Sequence, residues 1–215
     1  MKLEQEKTEN LLLNILPRSI ANRLKAGEER CADSHANVTV MFCDLVGFTK
    51  MSQGMDPGEL VEMLHELFSS FDQLVDEAGL EKIKTIGDCY MLVGGLPDPR
   101  QDHAQAVTAV ALKMISTLAR LDAAYNSSLQ IRIGIHSGPV VAGVIGTHKF
   151  TYDIWGTTVN EASRMESSGQ PSRIHISEVT AGLLADDFDL EHRGMVETKS
   201  LGLLSTYFVN GRRPC

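Results

Sequence analysis

At 215 residues, with 43% hydrophobic and 22% charged side chains, the chain can bury one sizeable core and has the composition of an ordinary globular domain. Its formal net charge of −8 argues against a nucleic-acid partner, whose phosphates call for clustered positive charge, yet leaves a small anionic ligand open, since a few cations and backbone N–H groups can hold one. Cys31, Cys43, Cys89 and Cys215 show no CxxC or metal spacing and read as free thiols of a reducing, cytoplasmic setting, while no apolar run reaches the ~18 residues of a membrane span and no signal peptide is visible.

Residues 1–16 open on a helical pattern, charged first and then apolar, so a longer parent protein with an upstream sensor or membrane domain is expected. Pro17 suits the first turn of a second short helix, with Ile20 and Leu24 on one face and Gly27 as its stop. Residues 1–35 are read either as a solvated arm or as a signalling or dimerising helix with its linker, and 36–215 as the main domain. Residues 38–44 are almost all apolar or small, as in a central strand. Asp56-Pro57-Gly58-Glu59 is a helix start, and Leu60, Leu64, Leu67, Phe68, Phe71, Leu74 and Val75 then recur at helical spacing up to Gly79. Residues 80–86 and 89–93 read as strands joined at Gly87-Asp88. A second amphipathic helix is expected over 101–122, then a half-buried strand in which Leu129, Ile131, Ile133 and Ile135 alternate with Gln130, Arg132, Gly134 and His136. This βαββαβ order is the ferredoxin-like split arrangement of an α+β sandwich. Strands near 140–144, 149–154, 173–176 and 204–209 and helices near 157–167 and 177–184 would extend its antiparallel sheet and cover it.

That topology makes a statement about chemistry. The first strand lies beside the third and antiparallel to it, so the end of one meets the start of the other. Asp44 and Asp88 occupy those two places and would stand side by side at one sheet edge. Like charges so close need a cation between them, and oxygen donors with open positions suit Mg²⁺ or Mn²⁺ carrying a nucleoside triphosphate. Taken singly, each aspartate would be a turn cap. After Asp44, Val46-Gly47-Phe48-Thr49 forms a glycine-containing turn into a helix whose N–H groups can face phosphate, a weak signal alone.

Several stretches then resemble a known family. Phe42-Cys43-Asp44-Leu45-Val46-Gly47-Phe48-Thr49 and Glu81-Lys82-Ile83-Lys84-Thr85-Ile86-Gly87-Asp88 resemble the two metal motifs of class III adenylyl and guanylyl cyclases. Residues 131–138, 152–156 and 159–166 match in order and spacing, and the resemblance covers roughly residues 36 to 210. It implies a cyclase catalytic domain over 36–215 that works as a head-to-tail homodimer, with its active sites at the interface. One subunit would supply the metal set (Asp44, Leu45 and Asp88) for two Mg²⁺ or Mn²⁺ ions, and Arg132 for the phosphates. Its partner would supply the base-reading pair Lys84 and Asp153 and the catalytic pair Asn160 and Arg164. The residues agree with this: Asn160 and Arg164 are four apart, on one face of a helix starting at Thr157, and one sequence holds every role.

Lys84 and Asp153 point to adenine. Lysine only donates and ionised aspartate only accepts, which fits adenine N1 and the 6-amino group, whereas guanine reverses the pattern. The expected activity is therefore ATP to cyclic AMP and pyrophosphate. The other readings are a guanylyl cyclase, a diguanylate-cyclase-like palm enzyme, or a cyclase-like module that only dimerises or binds nucleotide. One departure stands near the C-terminus, where Lys199-Ser200-Leu201-Gly202 puts Leu201 at the place where the family has a phosphate-binding lysine, so Lys199 would substitute or the Michaelis constant for ATP would rise. His65, His103 and His136 lack ligand spacing and read as structural or exposed. Trp155 reads as core or interface, and Lys82 as facing solvent on the side of the sheet opposite Lys84.

Overall fold

The computed structural model describes residues 12–28, 30–125, 129–146, 150–198 and 202–214. Most of the first expected helix, the 126–128 loop, Lys199 and Leu201 lie outside the described residues. In chain order the elements are α1 (Arg18–Lys25), β1 (Ala32–Val46), α2 (Phe48–Ser52), α3 (Pro57–Glu77), β2 (Glu81–Ile86), β3 (Cys89–Gly94), α4 (His103–Tyr125), β4 (Gln130–Ile145), β5 (Thr151–Trp155), α5 (Thr157–Ser167), β6 (Ile174–Ser177), α6 (Glu178–Leu184), β7 (Phe188–Thr198) and β8 (Gly202–Arg212).

The first half follows local chemistry. The Asp56 carboxylate accepts from the Gly58 N–H at 2.8 Å and caps α3, with Pro57 in the first turn, where its missing N–H costs nothing. The sheet runs β2-β3-β1-β4-β6-β8-β7, with β5 paired to β4. Its first four strands are the ferredoxin-like core, and β1 pairs antiparallel with both β3 and β4. Apolar side chains alternate along β1. Met41, Cys43 and Leu45 enter a core under α3, α4 and α6, while Val38, Val40 and Phe42 enter a second core with Ile20 and Ala21 of α1, Tyr152 and Ile154 of β5 and Ala162 of α5. The alternation leaves Asp44 on the α5 face of the sheet. Met63 and Met114 fill the first core, and Cys31, Cys43 and Cys89 carry free thiols. Among the described residues no helix is long and apolar enough to cross a membrane.

Three expectations change. The strands expected at 129–136 and 140–144 are one strand of 16 residues, β4. Pro139 lies between the two expected stretches, and β1 has a bulge between His35 and Val38, opposite that proline. The ladder is interrupted where β4 has no N–H to give. Strand β7 was not expected, because an edge strand of mixed polar sequence lacks a core-strand pattern; its register also shifts between His192 and Gly194. Lys82 faces the opposite side from Lys84, although side chains two apart normally share a face, because the β2–β3 register slips between them. It is only partly open to solvent: it pairs with Asp72 at 2.7 Å and lies 4.9 Å from the centre of the buried Tyr90 ring.

A buried polar chain crosses the first core. His103 Nδ1 bonds Thr39 Oγ1 at 2.7 Å, Thr39 bonds Ser137 at 2.7 Å, Ser137 bonds Thr180 at 3.0 Å, Thr180 bonds Ser177 at 3.2 Å, and Ser177 bonds His136 Nδ1 at 2.7 Å. Burial pushes the pKa of both imidazoles down, so they serve as neutral structural groups, as the lack of ligand spacing suggested.

Candidate active site

The end of β1 and the β2–β3 turn build an acidic corner. The β1–β3 ladder closes at Cys43 opposite Tyr90, which brings Asp44 to the start of β3 beside Asp88 in the hairpin turn. Burial raises the Asp44 pKa, the Asp88 charge raises it further, and Arg132 opposes both. Arg132 stands opposite Asp44 in the β1–β4 ladder, with one terminal nitrogen 3.4 Å from Asp44 Oδ2. Among the described residues no three His, Cys, Asp or Glu side chains form a closed metal cage. Two carboxylates that repel each other, with open positions around them, are a hard-oxygen donor set of the kind Mg²⁺ or Mn²⁺ shares with a polyphosphate. The Leu45 side chain is buried in the core, so only its backbone carbonyl is available to such an ion.

Gly47 follows in the left-handed conformation, φ 75°, which glycine adopts without strain, and turns the chain into α2. Val46 thus ends β1, with Phe48 and Thr49 in the first turn of α2 next to the acidic corner.

The sequence did not single out Glu166. It is buried on the inner side of α5, and its Oε1 accepts from Arg132 Nε at 2.6 Å. Burial raises its pKa and the Arg132 hydrogen bond and charge pull it back. A signal was available: Glu166 follows Arg164 by two residues, roughly 200° around a helix, so a carboxylate sits on the apolar side of α5 and needs a cation there.

Lys84 on β2 and Asp153 on β5, 69 positions apart, form an ion pair. The other Asp153 oxygen accepts the Ile154 N–H at 2.9 Å, which fixes the carboxylate, and the pair remains partly open to solvent. The bulge in β2 is what turns Lys84 toward β5. Trp155 follows at the end of β5, partly exposed and opposite Val141.

Helix α5 carries Asn160 and Arg164 on its outer side; Asn160 is exposed and Arg164 half-buried. Among the described residues the Arg164 guanidinium has no carboxylate partner. The chain therefore presents two separate sets of groups. One is Asp44, Asp88 and Arg132 at the β1 end; the other is Lys84 with Asp153, and Asn160 with Arg164. No hydrogen bond or ion pair joins the two sets among the described residues. Lys199 lies outside the described residues.

Three comparisons bear on this arrangement. Residues 31–211 match the family model described as adenylate and guanylate cyclase catalytic domain. An adenylate cyclase of Mycobacterium tuberculosis (strain ATCC 25618 / H37Rv) is 44% identical over 214 residues, which are 99% of this chain and 48% of that protein, so the chain spans about half the length of that relative. Among solved structures, the guanylate cyclase domain of RhGC from Catenaria anguillulae in complex with GTP superposes with TM-score 0.81 at 35% identity, covering 84% of this chain and 100% of that one. The adenylyl cyclase CyaB from P. aeruginosa gives TM-score 0.81 at 27% identity, covering 85% and 97%.

Proposed function

Since the chain belongs to the adenylate and guanylate cyclase catalytic domain family, we propose that it converts ATP to 3′,5′-cyclic AMP and pyrophosphate as a homodimer. The observation that carries the choice of ATP is the ion pair between Lys84 and Asp153. One member can only donate and the other can only accept, a set that fits the edge of adenine and mismatches guanine. A buried mismatch costs about 1–3 kcal/mol, so two together would separate the purines by two orders of magnitude or more.

The roles divide between two copies. In one protomer, Asp44 and Asp88 with the Leu45 carbonyl would hold Mg²⁺ or Mn²⁺, and Arg132 would donate to the polyphosphate. When bound, the ions supply Lewis-acid stabilisation of the polyphosphate charge and ease deprotonation of the ribose 3′-hydroxyl. The turn from Val46 to Thr49 lies beside the phosphates, with Lys199 as a further phosphate contact. In its partner, Lys84 and Asp153 read the base, Asn160 orients the ribose and Arg164 donates to the charge that builds on the α-phosphate as the 3′-oxygen attacks in line and pyrophosphate leaves. The separation of the two sets within one chain supports this division, because neither is a complete site. Residues 1–35 act as an arm that connects the catalytic domain to an upstream sensor or membrane domain of the parent.

The test is direct. The purified chain is incubated with ATP or GTP and with Mn²⁺ or Mg²⁺, and products are separated by chromatography. Cyclic AMP from ATP, abolished by Asp44→Ala, is the expected result. Cyclic GMP instead overturns the reading of Lys84 and Asp153, and absence of product over a range of protein concentrations overturns the activity itself.

A further inference from the structure

We propose that Glu166 is the positioning residue for Arg132, holding its guanidinium plane in the orientation that meets the polyphosphate. The inference rests on the assignment of Arg132 to the phosphates made above. Arg132 is shared unequally by two carboxylates: Nε lies 2.6 Å from Glu166 Oε1, and a terminal nitrogen lies 3.4 Å from Asp44 Oδ2. Asp44 is the weaker holder, and a dication drawing on that carboxylate competes for the lone pairs Arg132 uses. Glu166 remains. A guanidinium gripped at Nε keeps its plane, and its terminal N–H groups stay aimed outward.

Glu166 is itself fastened. A Cβ on Gly134 of β4 would stand 1.8 Å from the Glu166 backbone nitrogen, so the end of α5 rests directly on the strand that carries Arg132. Next to it, His175 Nδ1 donates to the Met165 carbonyl at 2.7 Å, and the Gly169 N–H donates to the Glu166 carbonyl at 2.8 Å. The missing side chain at Gly169 leaves room for the Arg132 stem, since a Cβ there would come within 3.0 Å of Arg132 Cγ. Backbone, carboxylate and guanidinium are therefore set in one piece before any ligand arrives, which lowers the ordering cost that a long, free arginine would otherwise carry.

Electrostatics alone predicts the opposite sign. Asp44, Asp88 and Glu166 all bear on this corner, and each repels a polyphosphate. If Glu166 were only a charge, removing it would tighten anion binding. If it positions Arg132, removing it loosens binding.

The experiment compares Glu166→Ala, Glu166→Gln, Arg132→Ala and the double variant Glu166→Ala/Arg132→Ala. Inorganic pyrophosphate with Mg²⁺ is titrated by calorimetry, KM and kcat for ATP are measured separately, and thermal melts monitor folding. Glu166→Ala should weaken pyrophosphate about tenfold, as loss of a hydrogen bond to a charged group does, and raise KM by a similar factor. Glu166→Gln, which keeps an oxygen to accept from Nε, should recover most of that loss and serves if the alanine variant does not fold. The double variant should bind no more weakly than Arg132→Ala alone. Equal or tighter binding by Glu166→Ala, losses that multiply in the double variant, or a parent protein that does not bind pyrophosphate would each overturn the proposal. Binding needs no turnover, so a parent that binds pyrophosphate with this non-additivity yet forms no cyclic nucleotide would uphold the role of Glu166 and refute the cyclase activity.

Discussion

Gly134→Ala is the most exacting perturbation available, because it adds one carbon where the backbone of another element already stands. The new Cβ would lie 1.8 Å from the Glu166 nitrogen and 2.4 Å from both the Glu166 Cα and the Met165 carbonyl carbon. These are main-chain atoms of α5, so no side chain can swing away. Restoring even a 3.4 Å contact from a 1.8 Å approach requires the helix to retreat by about 1.6 Å. Such overpacking costs about 1–3 kcal/mol or more, and for a chain of this size each kcal/mol lowers the melting temperature by about 2–4 °C. The functional loss should be larger still. A misplacement of about 1 Å costs on the order of 100-fold in rate, and α5 carries Asn160 and Arg164 outward and Glu166 inward. Cyclic AMP formation should therefore fall at least about 100-fold in a protein that still melts cooperatively, roughly 3–10 °C lower. A variant that melts within 1 °C of the parent and keeps its rate would refute the close packing of α5 on β4 and the role given to that helix.

Other expectations follow from particular contacts. Thr39→Val removes the hydroxyl that joins His103 to Ser137 at 2.7 Å each, taking that bond from the buried His103 Nδ1 while Ser137 keeps Thr180; about 1–2 kcal/mol should be lost, read as a melting point ~2–8 °C lower, and an unchanged melt would mean that the polar chain is not needed. His175 has its pKa pushed down to about 4 by burial, with Arg193 adding to the effect and the Met165 carbonyl opposing it. The unfolded chain takes up this proton below about 6.5 and the folded one only near 4, so stability is full above 6.5 and falls by roughly 3 kcal/mol as pH drops from 6.5 to 4. His175→Gln should flatten that part of the denaturation profile, and an unaltered slope would show that His175 does not contribute to it. Lys84→Glu combined with Asp153→Cys should lower kcat/KM for ATP by about 100-fold or more and improve it for GTP. A ratio of the two substrates that stays put would mean the pair does not read the base.

Much of the fold was legible because it is written in local chemistry. The Asp56 cap, the apolar stripe of α3 and the alternation along 129–136 depend on neighbours within a turn or two, and each was found where the pattern put it. What misled was local as well. Residues 129–136 and 140–144 look like two strands with Pro139 between them, and the proline's position across from the β1 bulge lets β4 run through it. Strand β7 shows no core alternation because it lies at a sheet edge, with most of its residues open to solvent. The side of the sheet Lys84 faces depends on a bulge that no residue in β2 announces.

For the candidate site, the sequence by itself determined the inventory: which donors and acceptors exist, that Asp44 stands near the end of one strand and Asp88 at the start of its neighbour, and that Asn160 and Arg164 share a helix face. These follow from composition, spacing and the order of elements, all one-dimensional facts. Only the tertiary structure decided which groups meet. It joins Lys84 to Asp153 across 69 positions, places Arg132 between Asp44 and Glu166, and seats α5 on a bare glycine. The physical reason is range. A cap or an amphipathic stripe is settled by neighbours along the chain, whereas an ion pair between distant strands and the depth to which a helix sinks onto a sheet depend on how the whole core packs.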